Sequence, residues 1–299
     1  MIEKSAKVVT IGTFDGIHIG HQKILKRVLS LAKKHNYEPA VLTLFPHPRM
    51  VLKKGDDIKL LNTIDERIAL LHDFGISNVI VKEFTADFAN LSPENYVKDI
   101  LANELNSKII VIGYDHHFGK NRSANISDLK AFSKTYAFDI EEISAQDIKD
   151  VTVSSTKIRN ALSNGEVRMA NSYLGYNYFI TGQVIKGKGL GKTLEFPTAN
   201  IHIDETYKLI PNDGVYVVKS KIKATTCYGM MNIGTNPTVD GKKRSIEVHF
   251  FDFHQDIYGD ELKIDFLKRL RSEQKFESLD ALKSQLKRDK TNALNYLNA

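Results

Sequence analysis

The chain has 299 residues, which corresponds to about two domains at roughly 150 residues each. Its 42% hydrophobic and 26% charged residues exclude wholesale disorder and low-complexity or collagen-like architectures. The net charge of +6 suits anionic ligands in general and does not choose between nucleotides, nucleic acid and a membrane surface.

The single cysteine, Cys227, excludes an intramolecular disulfide and a cysteine zinc cage, which favours a reducing compartment. No segment approaches ~18 consecutive apolar residues, and the N-terminal residues lack the pattern of a secretory signal. We therefore expect a cytoplasmic protein that does not act in a membrane.

The first part of the chain alternates between apolar runs and amphipathic segments. Short runs rich in β-branched residues predict strands at 8–12, 40–44, 78–81 and 108–112. Apolar residues at three- and four-residue steps predict helices from 20 onward, at 64–74 and at 93–103. This alternation predicts an α/β domain with a doubly wound, mostly parallel sheet covered by helices on both faces.

After about residue 180 the pattern changes to short β-rich runs separated by Gly, Pro, Asn and Asp. The predicted strands are 178–185, 214–219, 228–232 and 246–253. This pattern of short strands separated by turn residues predicts a small antiparallel β-barrel. Leucines at helical spacing from about Ser278 predict one amphipathic helix, or a pair, that packs on the barrel. We place the boundary near 174–178, which gives domains 1–175 and 176–299.

The sequence GTFDGIHIGH, residues 12–21, directly follows the first predicted strand. In a doubly wound sheet this turn is where a phosphate meets a helix N-terminus, and Gly12 and Gly16 allow close backbone approach. If the helix begins near Gly20, His18 lies just before it and His21 lies in its first turn. Both imidazoles can then donate hydrogen bonds to one phosphate, and the helix terminus disfavours a double positive charge on them.

Each feature of this segment also has a structural explanation. A histidine pair at this spacing is most often a surface or capping pair, and glycines before a helix most often form a turn. A zinc site is disfavoured because His18 and His21 lack a third ligand at a recognisable spacing. The coincidence of strand, glycines, histidines and helix favours a phosphate site.

This pattern, GxFDGxHxGH, resembles the nucleotidyltransferase superfamily with its HxGH signature. In particular it resembles the FMN adenylyltransferase module of bacterial bifunctional riboflavin kinase/FAD synthetases. Three later segments resemble that family's motifs in the family's order. They are FPHP at 45–48, GYDHHFGKNR at 113–122 and VSSTKIR at 153–159.

The resemblance implies a Rossmann-like nucleotidyltransferase domain and a set of site residues. His18, His21 and Arg159 would stabilise charge in catalysis, and the nucleotide or its phosphates would contact Gly12, Phe14, Asp15, Gly16, Ser155 and Thr156. SSTKIR before a helix offers hydroxyl and backbone donors with an arginine fork one turn later. The flavin would contact Asp115, His116, Phe118 and Arg122. His116 stands where the family usually has phenylalanine, and Ala124 where glycine is common.

The segment KGKGLGKTLEFPTANI, residues 186–201, contains a sequence that resembles the end of a P-loop. We reject a P-loop because its first glycine would fall on Lys186 and no helix follows. We expect instead a glycine-rich flap whose amides and lysines cover phosphates. Its predicted phosphate-binding residues are Gly187, Gly189, Gly191 and Lys192.

Within the same segment, Thr198 and Asn200 alternate with Ala199 and Ile201 along an extended chain. Both side-chain oxygens therefore point to one side, and a hydroxyl with an amide carbonyl suits Mg²⁺. Taken alone, FPTANI is more typical of an edge strand with solvent-facing polar residues.

The second part of the chain resembles riboflavin kinase. Besides PTAN, the segments on which this resemblance rests are GVYVV at 214–218, NIGTNPTV at 232–239, IEVHFFDF at 246–253 and RSEQKF at 271–276. The resemblance implies that Thr198 and Asn200 bind metal and nucleotide, that Glu247 is the catalytic base, and that Arg271 contacts flavin or phosphate. Alternation places Glu247, His249 and Phe251 on one strand face.

One position departs from the kinase pattern. Glu195 stands before FPTAN where the family commonly has glycine, and a positive φ there would make glutamate costly.

The resemblance spans nearly the whole chain and implies two reactions. Riboflavin and MgATP would give FMN in the barrel, and FMN and ATP would give FAD and pyrophosphate in the N-terminal domain. The expected ligands are riboflavin, FMN, FAD, ATP and Mg²⁺, with no nucleic acid and no membrane. The sequence carries no signal for an oligomeric state.

Two rival functions are weaker. A basic nucleic-acid-binding protein is suggested by the charge and a small barrel, but acids are interspersed among the lysines and no aromatic and basic ladder appears. A flavin-storing module without turnover would need vacant catalytic positions. His18, His21, Thr198, Asn200 and Glu247 are all present.

Overall fold

The computed structural model describes residues 5–52, 58–114, 116–144, 153–187, 195–238 and 241–298, with 236–238 and 241–243 as backbone only. The chain packs as two compact units, Met1–Ser155 and Thr156–Ala299. Each unit is described separately below.

The first unit is built on a five-stranded parallel sheet in the order β3-β2-β1-β4-β5. The strands are β1 (Lys7–Ile11), β2 (Glu38–Phe45), β3 (Asn78–Glu83), β4 (Ser107–Gly113) and β5 (Asp139–Ile143). The first four confirm the predicted strands. The fifth was not predicted because its sequence, DIEEI, carries three acids and lies at the sheet edge.

Helices cover both faces of this sheet. They are α1 (Ile19–His35), α2 (Pro48–Val51), α3 (Ile64–Asp73), α4 (Ala86–Ala89), α5 (Pro93–Asn95), a π-helical segment (Tyr96–Glu104), a 3₁₀ turn (Lys120–Arg122) and α6 (Ile126–Tyr136). Neighbouring strand residues enter opposite cores, because Val8 packs with Leu25 of α1 whereas Val9 packs with Leu101 of the π-helical segment. The predicted doubly wound sheet is confirmed.

The second unit contains a closed antiparallel barrel in the order β10-β7-β6-β11-β8-β9. Its strands are β6 (Phe179–Ile185), β7 (Ala199–His202), β8 (Gly214–Ile222), β9 (Thr225–Thr238), β10 (Gly241–Phe250) and β11 (Glu261–Arg271). The predicted barrel is confirmed. Strand β11 was not predicted, because lysines and arginines interrupt its apolar residues, yet Leu262, Ile264 and Phe266 alternate inward as a strand requires.

Within the described residues, three helices accompany the barrel: α7 (Ser155–Ser163), α8 (Val167–Leu174) and α9 (Leu279–Leu297). The tail forms the single helix α9, which places Ala293 in a core with Val215, Val217 and Met230. Packing assigns α8 and nearly all of α7 to the second unit, although the predicted boundary placed both in the first. The functional division at 175/176 stays a prediction.

No helix in the described part of the chain is both long enough and apolar enough to span a membrane.

Candidate active sites

The loop after β1 is held by buried polar contacts to residues 61 and 62. The Asp15 carboxylate, 1% exposed, accepts hydrogen bonds from the backbone N–H groups of Leu61 at 2.8 Å and Asn62 at 3.3 Å. The Asn62 side-chain oxygen accepts from the Gly16 N–H at 3.0 Å. The loop turns through positive φ at Phe14 (47°), Ile17 (36°) and Gly16 (87°). Asp15 and Gly16 thus fix the shape of the motif loop.

The two histidines of the motif lie at the N-terminus of α1, as predicted. His18 caps the helix, and its Nδ1 accepts a hydrogen bond from the backbone N–H of His21 at 3.3 Å. The two rings stack with centroids 3.7 Å apart and an interplanar angle of 13°. A Cβ at Gly20 would lie 3.2 Å from the His18 ring, so glycine provides the room for this ring. Both imidazoles therefore occupy one edge of the sheet.

The protonation of the pair follows from these contacts. Because His18 Nδ1 accepts a hydrogen bond, the neutral ring carries its proton on Nε2 and can donate there. Burial holds the pKa of His21 well below its usual value, and the charges of His18 and Arg67 lower it further. Among the described residues, buried His21 Nδ1 has no hydrogen-bond partner. The lowered pKa of His21 agrees with the prediction that the two imidazoles do not both carry a positive charge. Its main cause, however, is burial and not the helix terminus.

The aromatic residue of the motif lies in the core. Phe14 is 2% exposed, and its ring centroid lies 5.0 Å from that of His21. A Cβ at Gly12 would lie 3.1 Å from the Phe14 ring. Phe14 therefore backs the histidine pair, and Gly12 accommodates that packing. Direct contacts of either residue with a nucleotide stay predictions.

A buried arginine that the sequence analysis did not single out lies near the histidine pair. Arg67 of α3 is 0% exposed, and its Nη1 donates to Thr43 Oγ1 at 3.2 Å and to the Leu44 carbonyl at 3.4 Å. The Thr43 hydroxyl in turn donates to the Thr13 carbonyl at 3.1 Å. Arg67 is thereby connected to the motif loop.

The SSTKIR segment, which we predict to bind phosphates, lies at a helix N-terminus as expected, but the segment itself forms the first turns of α7 from Ser155 instead of preceding the helix. The Ser155 hydroxyl donates to the Asp15 carbonyl at 2.8 Å, which joins this segment to the motif loop. Thr156 and Arg159 follow within α7 and belong to the second unit. The contribution of Thr156 and Arg159 to phosphate binding stays a prediction.

Two of the predicted flavin residues, His116 and Phe118, belong to an aromatic stack. His116 is half-buried, and its ring lies 5.9 Å from that of Phe118 at an interplanar angle of 23°. Phe118 is buried and packs in turn on Tyr96 at 5.7 Å. Arg122 is exposed, whereas Asp115 lies outside the described residues. His116 thus offers a polar ring backed by aromatic side chains.

Ala124, which replaces a common glycine, is buried in the same core. It exchanges two backbone hydrogen bonds with Phe118, at 3.0 and 3.1 Å. Its methyl group therefore packs in the core without disturbing this pairing.

The barrel brings three predicted kinase residues together. The Thr198 hydroxyl donates to Glu247 Oε2 at 3.2 Å. Asn200 on β7 and Asn232 on β9 stand directly opposite Glu247 on β10. Directly paired residues of antiparallel strands share a face, so an Asn–Glu–Asn row crosses three strands. Asn232 was quoted in a motif but received no predicted role; its place opposite Glu247 appears only with the strand register.

Two glycines permit close packing around this row. A Cβ at Gly187 would lie 2.0 Å from the Asn200 amide nitrogen, and one at Gly234 would lie 2.0 Å from Glu273 Oε1. Either substitution would displace a polar side chain beside the row. Of the remaining predicted flap residues, Gly189, Gly191 and Lys192 lie outside the described residues.

His249 fixes the segment that carries Thr198. Its Nδ1 lies 2.9 Å from the Pro197 carbonyl, so it carries the proton and donates to that oxygen. The rings of Phe196 and Phe251 meet it edge-on at 5.1 and 5.9 Å. Burial lowers the pKa of His249, although the hydrogen bond to Pro197 opposes this shift. The neutral imidazole of His249 therefore holds the first residue of the PTAN segment in place through a hydrogen bond.

Arg271 anchors the RSEQKF segment to α9. Its Nε and Nη2 donate to the Asp289 carboxylate, with Nη2 at 2.8 Å from Oδ2, and Asp289 is almost fully buried. Its Nη1 donates to the Ser272 carbonyl at 3.0 Å. The guanidinium also lies 5.7 Å from the centre of the Phe276 ring. Contact of Arg271 with flavin or phosphate stays a prediction.

Glu195 adopts the left-handed conformation that favours glycine, with φ of 65°. Its carboxylate lies 2.6 Å from Lys283 Nζ, and this hydrogen bond lowers the pKa of Glu195. The exposed ion pair offsets part of the backbone strain.

Comparisons with known proteins agree with this two-part organisation. A family model described as FAD synthetase matches residues 1–157, and one described as riboflavin kinase matches residues 174–297.

Curated relatives match nearly the full chain. The bifunctional riboflavin kinase/FMN adenylyltransferase of Listeria monocytogenes is 38% identical, over 95% of this chain and 90% of that protein. Its namesake in Bacillus subtilis is 36% identical, over 98% of this chain and 93% of that protein. A crystal structure described as a macrolide-efflux protein from Streptococcus pneumoniae has a TM-score of 0.88 and 32% identity, and covers 98% of this chain and 96% of that one.

We predict that Glu195→Gly raises the melting temperature of the barrel unit by on the order of 2–4 °C, because it relieves the left-handed strain. Glu195→Ala is the matched control, since it removes the ion pair and keeps a Cβ at positive φ. Thermal unfolding of the full chain, followed by circular dichroism, compares the two. A lower melting temperature for the glycine variant than for the parent would contradict the prediction.

Proposed function

The chain belongs to the family of bifunctional riboflavin kinase/FMN adenylyltransferases, and we propose that it runs its two reactions at the two separate polar sites described above. ATP is a substrate of both family reactions. We assign adenylyl transfer to the histidine site, with residues 1–175 as its domain, and riboflavin phosphorylation to the Asn–Glu–Asn row, with residues 176–299 as its domain. The observation that carries this assignment is the Thr198 to Glu247 hydrogen bond in one unit and the His18 and His21 stack in the other.

In adenylyl transfer, a phosphate oxygen of FMN attacks the α-phosphorus of ATP. A new P–O bond forms, the bond to the bridging oxygen of the β-phosphate breaks, and pyrophosphate leaves with the negative charge. His18 Nε2–H and the His21 ring lie at a helix N-terminus and donate to oxygens that gain charge. Arg159 adds a guanidinium fork for the leaving phosphates. Catalysis is then positioning and charge stabilisation, with no covalent enzyme intermediate.

In the kinase reaction, the ribityl 5′-hydroxyl of riboflavin attacks the γ-phosphorus of ATP. Glu247 takes the hydroxyl proton and a bond forms between the ribityl oxygen and the γ-phosphorus, which gives FMN. The bond from the γ-phosphorus to the β–γ bridging oxygen breaks, and ADP leaves with that oxygen. The Thr198 hydroxyl holds one carboxylate oxygen of Glu247 at 3.2 Å. The other carboxylate oxygen is then available to receive the proton.

Magnesium fits the donor set of this row. Thr198 and Asn200 supply a hydroxyl and an amide oxygen, which are hard ligands, next to a carboxylate. When bound, Mg²⁺ neutralises charge on the ATP phosphates. The close approach of Gly187 to the Asn200 amide keeps this side chain in place.

The flavin contacts complete the proposal. In the N-terminal unit we assign Asp115, His116, Phe118 and Arg122 to FMN, with His116 as the half-buried stacking ring. In the barrel, Arg271 orders the RSEQKF segment beside riboflavin through its hydrogen bonds to Asp289.

Chromatography of products tests the proposed function. The purified full chain is incubated with riboflavin, ATP and Mg²⁺, with EDTA in a parallel sample. We expect FMN first, then FAD, and no FMN in the EDTA sample. If neither flavin product forms and added FMN is not converted to FAD, the proposed function is wrong.

His21→Ala is expected to lower FAD formation from FMN about 100-fold, because it removes a preorganised donor. FMN formation from riboflavin should match the parent, since the barrel site is separate. His35→Ala, an exposed histidine of the same helix, is the control. Equal loss of both activities in His21→Ala would contradict separate sites.

Glu247→Gln keeps the shape of the side chain and removes its basicity. We expect riboflavin phosphorylation to fall by about 100-fold or more, whereas added FMN is still converted to FAD. Glu261→Gln, at the exposed start of β11, serves as the control. Phosphorylation retained in Glu247→Gln would remove this residue from the role of base.

A further inference from the structure

The residue that orients the base of the barrel site lies just before a strand. Thr198 donates its hydroxyl to Glu247 Oε2 at 3.2 Å, whereas strand β7 begins only at Ala199. The pairing of β7 with β10 sets Asn200 directly opposite Glu247. Strand pairing therefore fixes Asn200, while the direction of the Thr198 hydroxyl depends on the peptide that precedes it.

A side chain of β10 holds that peptide. His249 Nδ1 lies 2.9 Å from the carbonyl oxygen of Pro197, which belongs to the peptide group between Pro197 and Thr198. His249 and Glu247 are two residues apart on the same strand, so their side chains are on the same face of the sheet. One strand face thus carries both the base and the donor that holds the residue next to Thr198.

The His249 ring is itself held by the core of the second unit. It is 9% exposed, and the rings of Phe196 and Phe251 meet it edge-on with centroids 5.1 and 5.9 Å away. Both phenylalanines belong to the core that contains Ala293 of α9. Because side chains in such cores are closely packed, the direction of the Nδ1–H bond is set by packing.

Only one tautomer of the neutral ring makes this contact. A carbonyl oxygen accepts hydrogen bonds and has no proton to give, so Nδ1 of His249 must carry the proton. Burial lowers the pKa of His249, and the hydrogen bond to Pro197 opposes this shift. The charge of Lys290 lowers the pKa and that of Asp252 raises it. The net shift is downward, which favours a neutral ring protonated at Nδ1.

We propose that His249 is a positioning residue for riboflavin phosphorylation. Through the Pro197 carbonyl it directs the Thr198 hydroxyl to one carboxylate oxygen of Glu247. The other carboxylate oxygen is then the one that takes the proton of the ribityl hydroxyl. This inference deepens the proposed function of the barrel site and rests on it.

Three variants of the full chain separate the hydrogen-bond donor from the ring. In His249→Asn the amide nitrogen takes the place of Nδ1 and can still donate to Pro197, whereas in His249→Gln it lies one carbon further along the side chain. His249→Phe keeps an aromatic ring and has no donor. The matched control is His254→Asn, at an exposed histidine that follows β10.

Initial rates of FMN formation, counted as FMN plus FAD, are measured over a range of riboflavin and ATP concentrations. We expect kcat to fall about 10-fold or more in His249→Phe and His249→Gln, and to stay within about threefold of the parent in His249→Asn. KM for riboflavin should match the parent in all three variants, because the imidazole acts on the base and not on the flavin. Added FMN should be converted to FAD at the parental rate, which reports that the chain is intact.

The contact itself is tested without reference to activity. A nitrogen-15 NMR spectrum of the histidine rings identifies which ring nitrogen carries the proton, and the signal lost in His249→Phe assigns His249. We expect a proton on Nδ1 of the parent protein at neutral pH.

Several results would overturn the proposal. They are a parental kcat in His249→Phe, an asparagine variant no better than the glutamine variant, a loss carried by KM for riboflavin instead of kcat, an equal loss of FAD formation from added FMN, or a parent Nδ1 without a proton. If His249→Phe does not fold, the comparison of asparagine with glutamine decides. If the parent itself forms no FMN, the proposed function has failed, whereas the tautomer of His249 still reports on the contact with Pro197.

Discussion

The first site depends on one buried carboxylate, that of Asp15. Its two hydrogen bonds from the backbone of Leu61 and Asn62 satisfy donors that would otherwise be buried without partners, and the backbone carbonyl of Asp15 receives the Ser155 hydroxyl. A buried carboxylate is stable only with such donors, so the loop cannot move without losing them. The positive φ angles around it and the position of His18 at the start of α1 follow from this anchor.

In the barrel the equivalent constraint is strand register. A shift of one residue between β7 and β10 would turn Asn200 away from Glu247, because neighbouring residues of a strand face opposite sides. The hydrogen bond from His249 to the Pro197 carbonyl holds that register at its end. At Gly187 and Gly234 any side chain would collide with a polar group beside the row. The geometry of the barrel site therefore depends on the lack of a side chain at these two glycines as well as on its polar side chains.

The sequence predicted both architectures and the two histidines because their signals are local: apolar periodicity, glycines and a helix start. It also identified Glu195, whose positive φ the structure confirms. The sequence analysis missed Arg67. A signal for it existed, because Arg67 is a charged residue on the apolar face of α3, between Ile64 and Leu71. The role of a charge on such a face can be inferred only when its hydrogen-bond partners are known. One partner of Arg67 is Thr43, which is distant in sequence. Asn232 opposite Glu247 and Asp289 beside Arg271 were hidden for the same reason.

In each unit the backbone contacts the Nδ1 atom of a histidine, and this atom has opposite roles in the two contacts. His18 receives a backbone N–H at Nδ1, so the neutral form of its ring carries the proton on Nε2. His249 gives its Nδ1 proton to the Pro197 carbonyl and so serves the backbone. Burial keeps His21 and His249 from charging. Because each contact is made by the backbone, the fold itself decides which role Nδ1 takes in these two rings.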